Sequence, residues 1–215
     1  MTEDLTPPVL HARKAKGEGH LRYDEILKAA ERILLQAGYD ATTMRKISDA
    51  VGMSSAGLYV YFPDKDAIVL EICKTAFTRL GDATRACVAA SADPVDRARM
   101  MLQAYVRFGL ENPATYALAF SAPRRAGLST QHKIMAFAME SISDFRIVID
   151  EIEASGRLKG QQAITVRQSL GAACHGLVSL VNMAPGLPWA PIDSLVGSLI
   201  EGLFNGFIGE AGAAA

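Results

Sequence analysis

The chain has 215 residues, of which half are hydrophobic, and its 22 lysines and arginines are nearly balanced by 23 aspartates and glutamates. This composition indicates a soluble globular chain of one or two domains and excludes disorder as the main state. A net charge of −1 argues against a wholly basic nucleic-acid coat, although it leaves room for a small basic face.

Three scattered cysteines, Cys73, Cys87 and Cys174, include no close pair, so we expect neither a disulfide framework nor a cysteine zinc site. The start of the chain is acidic where a secretory signal would be basic, and polar residues interrupt the most apolar stretches. We therefore predict a cytoplasmic protein without a membrane span, a metal ion or another cofactor.

Residues 1–20 combine prolines and glycines with Arg13, Lys14 and Lys16, and they show no apolar periodicity. We interpret this segment as a flexible, mildly basic arm. Beyond it, apolar residues recur at helical spacing from Ile26 until Gly38, where a C-terminal cap belongs. The pattern predicts a first helix that ends at this glycine.

Two short helices are expected next. Thr42 or Thr43 can cap the first of them, which ends at Gly52, and Ser54 can cap the second, which stops before Pro63. Two short helices joined by a glycine turn are typical of a helix-turn-helix. Four apolar residues are assigned to its interior: Ile47, Met53, Leu58 and Phe62.

The remainder of the chain repeats the helical spacing and contains no useful strand pattern. We expect a long helix from Pro63 to about Ser91, helices opened by Asp93-Pro94 and Asn112-Pro113, a long helix carrying Met135 to Ile152, and two final helices. The sequence thus predicts an all-α chain of about nine helices. We divide it into the arm at 1–20, a three-helix domain of helix-turn-helix type at 21–66, and a second helical domain at 67–215.

The last two helices are apolar over more than one stripe, and Gly197, Gly202 and Gly206 flatten one side of the final helix. A helix that is apolar all round must be buried on more than one side. We interpret the two helices as a homodimer interface. The alternative is that they are ordinary core.

A known family shares these features. Residues Arg22 to Leu70 resemble the DNA-binding domain of the TetR family of repressors, with the Gly-Tyr turn, the paired threonines and Val51-Gly52-Met53-Ser54 in register. Residues Tyr105 to Phe120, together with Cys174-His175-Gly176, resemble a C-terminal subgroup often marked by Trp-His-Gly, although a cysteine stands in the place of the tryptophan. The resemblance implies a transcriptional regulator, most simply a repressor that a small, mostly apolar effector releases from a palindromic operator. It makes residues 21–66 the DNA-binding domain and residues 67–215 the effector-binding and dimerisation domain.

The candidate DNA contacts lie on the second and third predicted helices and at the start of the fourth. They are Thr43, Arg45, Ser54, Ser55, Ala56, Gly57, Tyr59, Val60, Tyr61 and Lys65. Thr43 and Lys65 lie near helix N-termini, where a phosphate is favourable, and the resemblance implies phosphate contacts for both. The alternatives are helix packing for the two tyrosines, a solvated charge for Arg45 and a solvated tail for the arm.

The third helix lacks the usual base-reading side chains. At Ser54, Ser55, Ala56, Gly57 and Val60 there is no Arg, Lys, Asn, Gln or His, so bidentate reading of guanine or adenine is unavailable. Specificity is expected from thymine-methyl contacts by the alanine and the valine, from serine hydroxyls, from an arginine on the second helix and from DNA shape. The cations of the arm are candidates for an adjacent minor groove.

A candidate effector pocket combines aromatic residues with one ionisable group on predicted inner faces. Its residues are Tyr105, Phe108, Tyr116, Phe120, Met139 and His175. Each of them alone is more often an ordinary core residue, and a lone helical histidine is more often a hydrogen-bonded core residue than a ligand. A second hypothesis is therefore a helix-turn-helix protein regulated by a protein partner or by its own concentration. Because the sequence has no nucleophile–base pair, metal cluster or nucleotide loop, we predict no catalytic residues, and an all-α enzyme remains a distant third.

Overall fold

The computed structural model describes residues 19–121 and 126–209, and the all-α prediction is confirmed. The ten helices in these ranges are α1 (Gly19–Ala41), α2 (Met44–Ala50), α3 (Ser55–Tyr61), α4 (Lys65–Arg85), α5 (Pro94–Glu111), α6 (Pro113–Ser121), α7 (Leu128–Ser141), α8 (Ser143–Ala154), α9 (Ala163–Met183) and α10 (Ile192–Phe207). None of them combines the length and apolar character that crossing a membrane requires. The arm cations Arg13, Lys14 and Lys16 lie outside the described residues.

The described residues divide into two compact units, one ending at Val69 and the other beginning at Leu70, and the boundary falls within α4. The N-terminal unit contains α1, α2, α3 and the first residues of α4. Its apolar side chains meet in a core that includes Ile26, Ile47, Leu58, Phe62 and Ile68. Burial of these groups holds the two short helices against α1, because neither is long enough to be stable alone.

The end of α1 is marked by a kink. Gly38 has φ 78°, in the left-handed region that glycine adopts at little steric cost, and a further helical turn follows it to Ala41. The main helix therefore breaks at Gly38, where the sequence predicted its end, and the helical segment as a whole extends three residues further.

In the C-terminal unit, α5 packs against α8, α9 and α10. Its buried face carries Met101, Leu102 and Val106, and the helices around it contribute Ile149 and Leu170. The N-terminus of α5 is capped as predicted, since the Asp93 carboxylate accepts a 2.9 Å hydrogen bond from the main-chain N–H of Val95. This unit positions the candidate effector site.

One glycine of α5 is required by close packing. A Cβ atom at Gly109 would lie 2.5 Å from Cγ1 of Val178 on α9 and 3.0 Å from the Tyr116 ring on α6. Real Cβ atoms do not approach other atoms so closely, so any larger residue would push the helices apart.

Two helix predictions were wrong in extent. The helix predicted to carry Met135 to Ile152 is two helices, α7 and α8, with Ile142 between them at φ −105° and ψ 7°. The Ser141 hydroxyl donates a 2.8 Å hydrogen bond to the Ala138 carbonyl, an interaction that competes with regular helix hydrogen bonding. The second error is that α4 ends at Arg85 rather than near Ser91.

The early end of α4 has a local cause. Beyond Arg85 the chain changes to hydrogen bonds between residues three apart, from Cys87 N to the Thr84 carbonyl and from Val88 N to the Arg85 carbonyl. Such bonds tighten a helix terminus into turns.

Candidate DNA-binding surface and effector site

Local hydrogen bonds fix both short helices of the helix-turn-helix. Thr43 caps α2, because its Oγ1 accepts a 3.2 Å hydrogen bond from the main-chain N–H of Lys46. Ser54 caps α3 in the same way, accepting from the N–H of Gly57 at 3.1 Å. Between the caps, Gly52 has φ 62°, which is the left-handed conformation that this turn needs. The orientation of α3 is thus determined by short-range interactions as well as by its buried side.

The outer side of α3 is apolar. Leu58 is fully buried on the inner side of the helix. Ala56 precedes it by two residues and Val60 follows it by two, so both lie on the opposite side, one helical turn apart. The Val60 side chain is 83% exposed, and Tyr59 beside it is 53% exposed. The structure therefore presents aliphatic groups and one aromatic ring outward from α3.

The serine hydroxyls at the start of α3 are already engaged. The Ser48 hydroxyl donates to the Arg45 carbonyl at 2.8 Å, and its oxygen lies 3.2 Å from the Ser55 hydroxyl oxygen. Because the Ser48 proton is used, the Ser55 hydroxyl donates in this pair. The Ser54 oxygen accepts from Gly57 N–H and keeps its own proton. Of these two α3 serines, only the cap residue has a proton to offer outward.

The remaining candidate contacts of α2 and α3 differ in accessibility. The Arg45 side chain is 86% exposed, and its Nε lies 3.9 Å from the Asp49 carboxylate. An exposed pair of this length contributes little, so the guanidinium remains accessible. Gly57 and Tyr61 are half-buried, and a Cβ atom at the glycine would lie 3.2 Å from Cε of Met53.

Lys65, at the first residue of α4, is held by the turn between α1 and α2. Its ammonium group donates to the carbonyls of Tyr39 at 2.6 Å and Thr42 at 3.0 Å. The Tyr39 hydroxyl donates to the carboxylate of Asp66, and burial together with this carboxylate raises the pKa of the phenol. An ammonium group has three protons, so one remains for a phosphate. The predicted phosphate contact of Lys65 stays a prediction, and the structure adds a packing role.

An apolar cavity of about 80 Å³ lies in the C-terminal unit between α4, α5, the α7–α8 junction and α9. The residues that line it are Leu80, Thr84, Met101, Leu102, Tyr105, Ser141, Ile142, Phe145, Arg167, Gly171 and Cys174. Burial raises the pKa of the Cys174 thiol to about 12, so this group stays protonated and contributes an uncharged wall. The cavity suits an apolar molecule.

A hydrogen-bonded cluster adjoins this cavity through Tyr105. The Tyr116 hydroxyl oxygen lies 2.6 Å from Nδ1 of His175 and 2.8 Å from the Tyr105 hydroxyl oxygen. The Phe120 ring lies 4.6 Å from the rings of both Tyr116 and His175. Burial lowers the pKa of His175, raises that of Tyr105 to about 12 and also raises that of Tyr116. The imidazole and both phenols are therefore uncharged near neutral pH. The cluster forms a polar end next to an apolar cavity.

The structure brings together four of the six predicted effector residues: Tyr105, Tyr116, Phe120 and His175. Met139 does not join them: it is 54% exposed on α7, because the helix break at Ile142 changes the direction of the faces that a continuous helix would have had. Its assignment to an inner face was wrong. Phe108 is buried, and its ring centre lies 5.8 Å from the guanidinium carbon of Arg79.

Several cavity residues were missed from the sequence. Leu80 and Thr84 of α4 and Gly171 of α9 line the cavity, yet helical spacing indicates only which side of a helix is buried. A gap arises from the shapes of facing side chains, which one sequence does not reveal. In the part of the chain that the structure describes, no three His, Cys, Asp or Glu side chains are grouped as a metal ion would require.

Comparison with known families identifies the chain. Residues 26–72 match the family of bacterial regulatory proteins called tetR, and residues 98–202 match the tetracyclin repressor-like C-terminal domain. Together the two matches cover more than half of the chain. The chain belongs to the TetR family of regulators.

Individual relatives agree with this assignment. The HTH-type transcriptional repressor KstR2 of Rhodococcus jostii is 33% identical over 107 residues, which are 50% of this chain and 49% of the relative. The first curated relatives are covered over 35% and 48% of their length, so the chain spans about a third to a half of the curated relatives that it matches.

Two solved structures show the shared fold. The ketosteroid transcriptional regulator KstR2 of Mycobacterium tuberculosis has a TM-score of 0.70 at 20% identity, over 92% of this chain and 100% of that one. The fatty acid degradation regulator FadR of Bacillus halodurans has a TM-score of 0.74 at 17% identity, over 90% and 98% of the two chains.

Proposed function

We propose that this TetR-family chain is a DNA-binding transcriptional repressor that acts as a homodimer and is released from a palindromic operator by a small, mostly apolar effector. The observation that carries the proposal is the capped helix-turn-helix with α3 exposed along the side opposite Leu58. A short, rigidly held helix of this kind fits the major groove of duplex DNA.

Phosphate contacts fit the surroundings of α3. The Arg45 guanidinium is exposed, the Thr43 hydroxyl has a proton left after capping α2, and Lys65 contributes a positive charge at the start of α4. These groups supply hydrogen bonds and positive charge that hold the protein on the DNA backbone without selecting a sequence.

The last two helices support a homodimer. On α9, Leu180 and Met183 are exposed three residues apart, on one side of the helix. On α10, a Cβ atom built at Gly202 or Gly206 meets no other atom within 4 Å. Apolar stripes and small residues of this kind are typical of helices that pack against a second subunit. A two-fold dimer would carry two copies of α3, which matches an operator made of two inverted half-sites.

The cavity and the adjoining cluster support an effector with an apolar body and one polar end. A cavity of about 150 Å³ is enough for benzene, so a larger molecule requires the 80 Å³ cavity to widen. Leu80 and Thr84 of α4 form one wall, and the same helix begins at Lys65 in the helix-turn-helix unit. A ligand that favours the widened state would shift the conformational equilibrium of α4. The size of that shift is limited by the difference in the affinity of the ligand for the two states.

The names of the structural relatives guide the choice of probes. Ketosteroids and fatty acids both have an apolar body and a polar oxygen group, which a neutral tyrosine–histidine cluster would accept as a hydrogen-bonding partner. We therefore expect a steroid ketone or a fatty acid to be a closer match than a sugar or a nucleotide.

A thermal-shift screen of steroid ketones and fatty acids, repeated with and without saturating operator DNA, tests the proposal. By reciprocity, DNA should weaken binding of the effector by the factor by which the effector weakens binding of DNA. Gly171→Leu, which places a side chain in the cavity, should abolish the thermal shift and keep operator affinity. The control Ala136→Leu, on the exposed side of α7, should change neither. An effector bound equally well with and without operator would exclude the proposed release.

A further inference from the structure

We propose that α3 reads the 5-methyl groups of thymine in the major groove through Ala56 and Val60, so that each operator half-site is defined by A·T pairs opposite these two residues. This inference rests on the proposed DNA-binding function and names the base chemistry that the function would use.

The outward side of α3 is apolar. Ala56 and Val60 lie one helical turn apart on the side opposite the fully buried Leu58, and they present methyl groups to the outside. Val60 is among the most exposed large apolar side chains of the described chain. Thymine is the base that offers an apolar group in the major groove, so it is the base that complements this side of α3.

Polar side chains that could read base edges are absent from α3 or already hydrogen-bonded. Ser55 uses its proton on Ser48, and the oxygen of Ser54 accepts from the N–H of Gly57. Gly57 has no side chain. Since α3 carries no Arg, Lys, Asn, Gln or His, it cannot form a bidentate pair with guanine or adenine.

The nearby charged and polar groups complement the apolar ones. Arg45 of α2 is exposed, with a single distant carboxylate at 3.9 Å in its ion pair, and can donate to a guanine or a phosphate beside the thymine contacts. The exposed Tyr59 hydroxyl is a further donor for the backbone. The charged and polar groups thus hold the helix in the groove, while the apolar groups select the base.

Deoxyuridine provides the sharpest test, because it pairs with adenine like thymine and lacks only the 5-methyl group. An operator is first selected from random duplex DNA with the full chain, and each thymine is then replaced in turn. Burial of one methyl group corresponds to about a fourfold change in affinity. We expect about fourfold weaker binding at one or two positions per half-site and about sixteenfold when a position is replaced in both half-sites.

Protein variants link the effect to named side chains. Val60→Ala removes two exposed methyl groups and should fold normally. In this variant the loss of operator affinity caused by deoxyuridine should shrink at one position and persist elsewhere. If the thymine at that position is first replaced by cytosine, a further change to 5-methylcytosine should improve binding of the unchanged protein, since it restores the methyl group. The control Leu128→Ala removes an equally exposed apolar side chain from α7 and should leave the whole pattern unchanged.

The outcomes separate the two claims. Tight binding of a selected operator that is indifferent to deoxyuridine at every position would overturn the thymine-methyl inference and leave the DNA-binding function standing. Failure to bind any duplex at low salt would contradict the DNA-binding function, and the inference with it.

Discussion

The ammonium group of Lys65 lies 3.8 Å from the centre of the Tyr39 ring and donates a 2.6 Å hydrogen bond to the carbonyl of the same tyrosine. The Tyr39 hydroxyl donates to Asp66, the next residue of α4. The first turn of α4 is thus joined to the end of α1 through both the main chain and the side chain of one residue. A lysine assigned to DNA phosphate from the sequence is also part of the interior framework of the N-terminal unit.

Lys65→Ala should therefore have two effects. Loss of hydrogen bonds to two carbonyls should lower the free energy of unfolding by about 1–2 kcal/mol. Loss of one phosphate contact should weaken binding to all DNA sequences alike and reduce the slope of log affinity against log salt by about 1. Urea unfolding and salt titrations of operator binding measure the two effects separately.

Two controls accompany this variant. Lys74→Ala removes another cation of α4, paired with Glu71 at 3.2 Å, and should change neither quantity appreciably. Tyr39→Phe removes the hydrogen bond to Asp66 and should lower stability with no change in salt slope. An unchanged salt slope in Lys65→Ala would show that this lysine has a packing role alone.

Gly109→Ala should destabilise the C-terminal unit. Alanine is the better helix former by about 1 kcal/mol, but its Cβ would lie 2.5 Å from Val178, and overpacking of this kind costs about 1–3 kcal/mol. We expect a lower midpoint of urea unfolding. Gly171→Ala is the matched control, since its Cβ meets nothing within 4 Å, and it should be neutral or stabilising. Greater stability of Gly109→Ala than of the unchanged protein would contradict the close approach of α5 and α9.

Leu180→Lys should break the proposed homodimer. Leu180 is half exposed beside Met183 on α9, and a lysine there would bury an unpaired charge between two subunits. Sedimentation velocity at micromolar concentration should show a monomer, with operator affinity reduced accordingly. Leu128→Lys, on α7, should remain dimeric. A dimeric Leu180→Lys protein with full operator affinity would place the interface elsewhere.

His175 should make stability depend on pH. Burial lowers its pKa below the usual 6.5, so the unfolded chain binds a proton more readily than the folded one. The contribution of this group to the free energy of unfolding is therefore complete above about pH 6.5 and is lost as the pH falls through and below that value.

A variant comparison isolates this term. His175→Gln should be closer in stability to the unchanged protein at about pH 5.5 than at about pH 8, as measured by urea midpoints. In the control His132→Gln, at an exposed position, the difference between the urea midpoints at the two pH values should equal that of the unchanged protein. A gap between His175→Gln and the unchanged protein that widens toward acid would mean that the imidazole is stabilised as a cation.

Much of the fold was predictable because its signals are local. Ser54, Asp93 and Gly52 each act on residues no more than three positions away, so a cap or a turn can be read directly from the chain. Between the two candidate caps of α2, the sequence left the choice open. The Thr42 hydroxyl donates back to the Gly38 carbonyl at 2.7 Å, and the cap is Thr43.

The candidate site was less predictable because it depends on distant contacts. The partners of Lys65 lie 23 and 26 residues earlier in the chain, and the helical spacing of Met139 gave no sign that the helix would break at Ile142. The cavity is formed where side chains from four parts of the C-terminal unit fail to fill the space between them. Periodicity identifies buried sides of helices but not the gaps between them.

We propose that two copies of α3, carried by a homodimer, bind a two-fold symmetric DNA site. Repeated selection from random duplexes with the full chain, followed by sedimentation of the complex with the enriched DNA, tests it most directly. We expect an inverted repeat, a complex of two chains or of a higher even number of chains on one duplex, and an affinity that falls steeply with salt. No enriched sequence, or a single chain bound at full affinity, would contradict it.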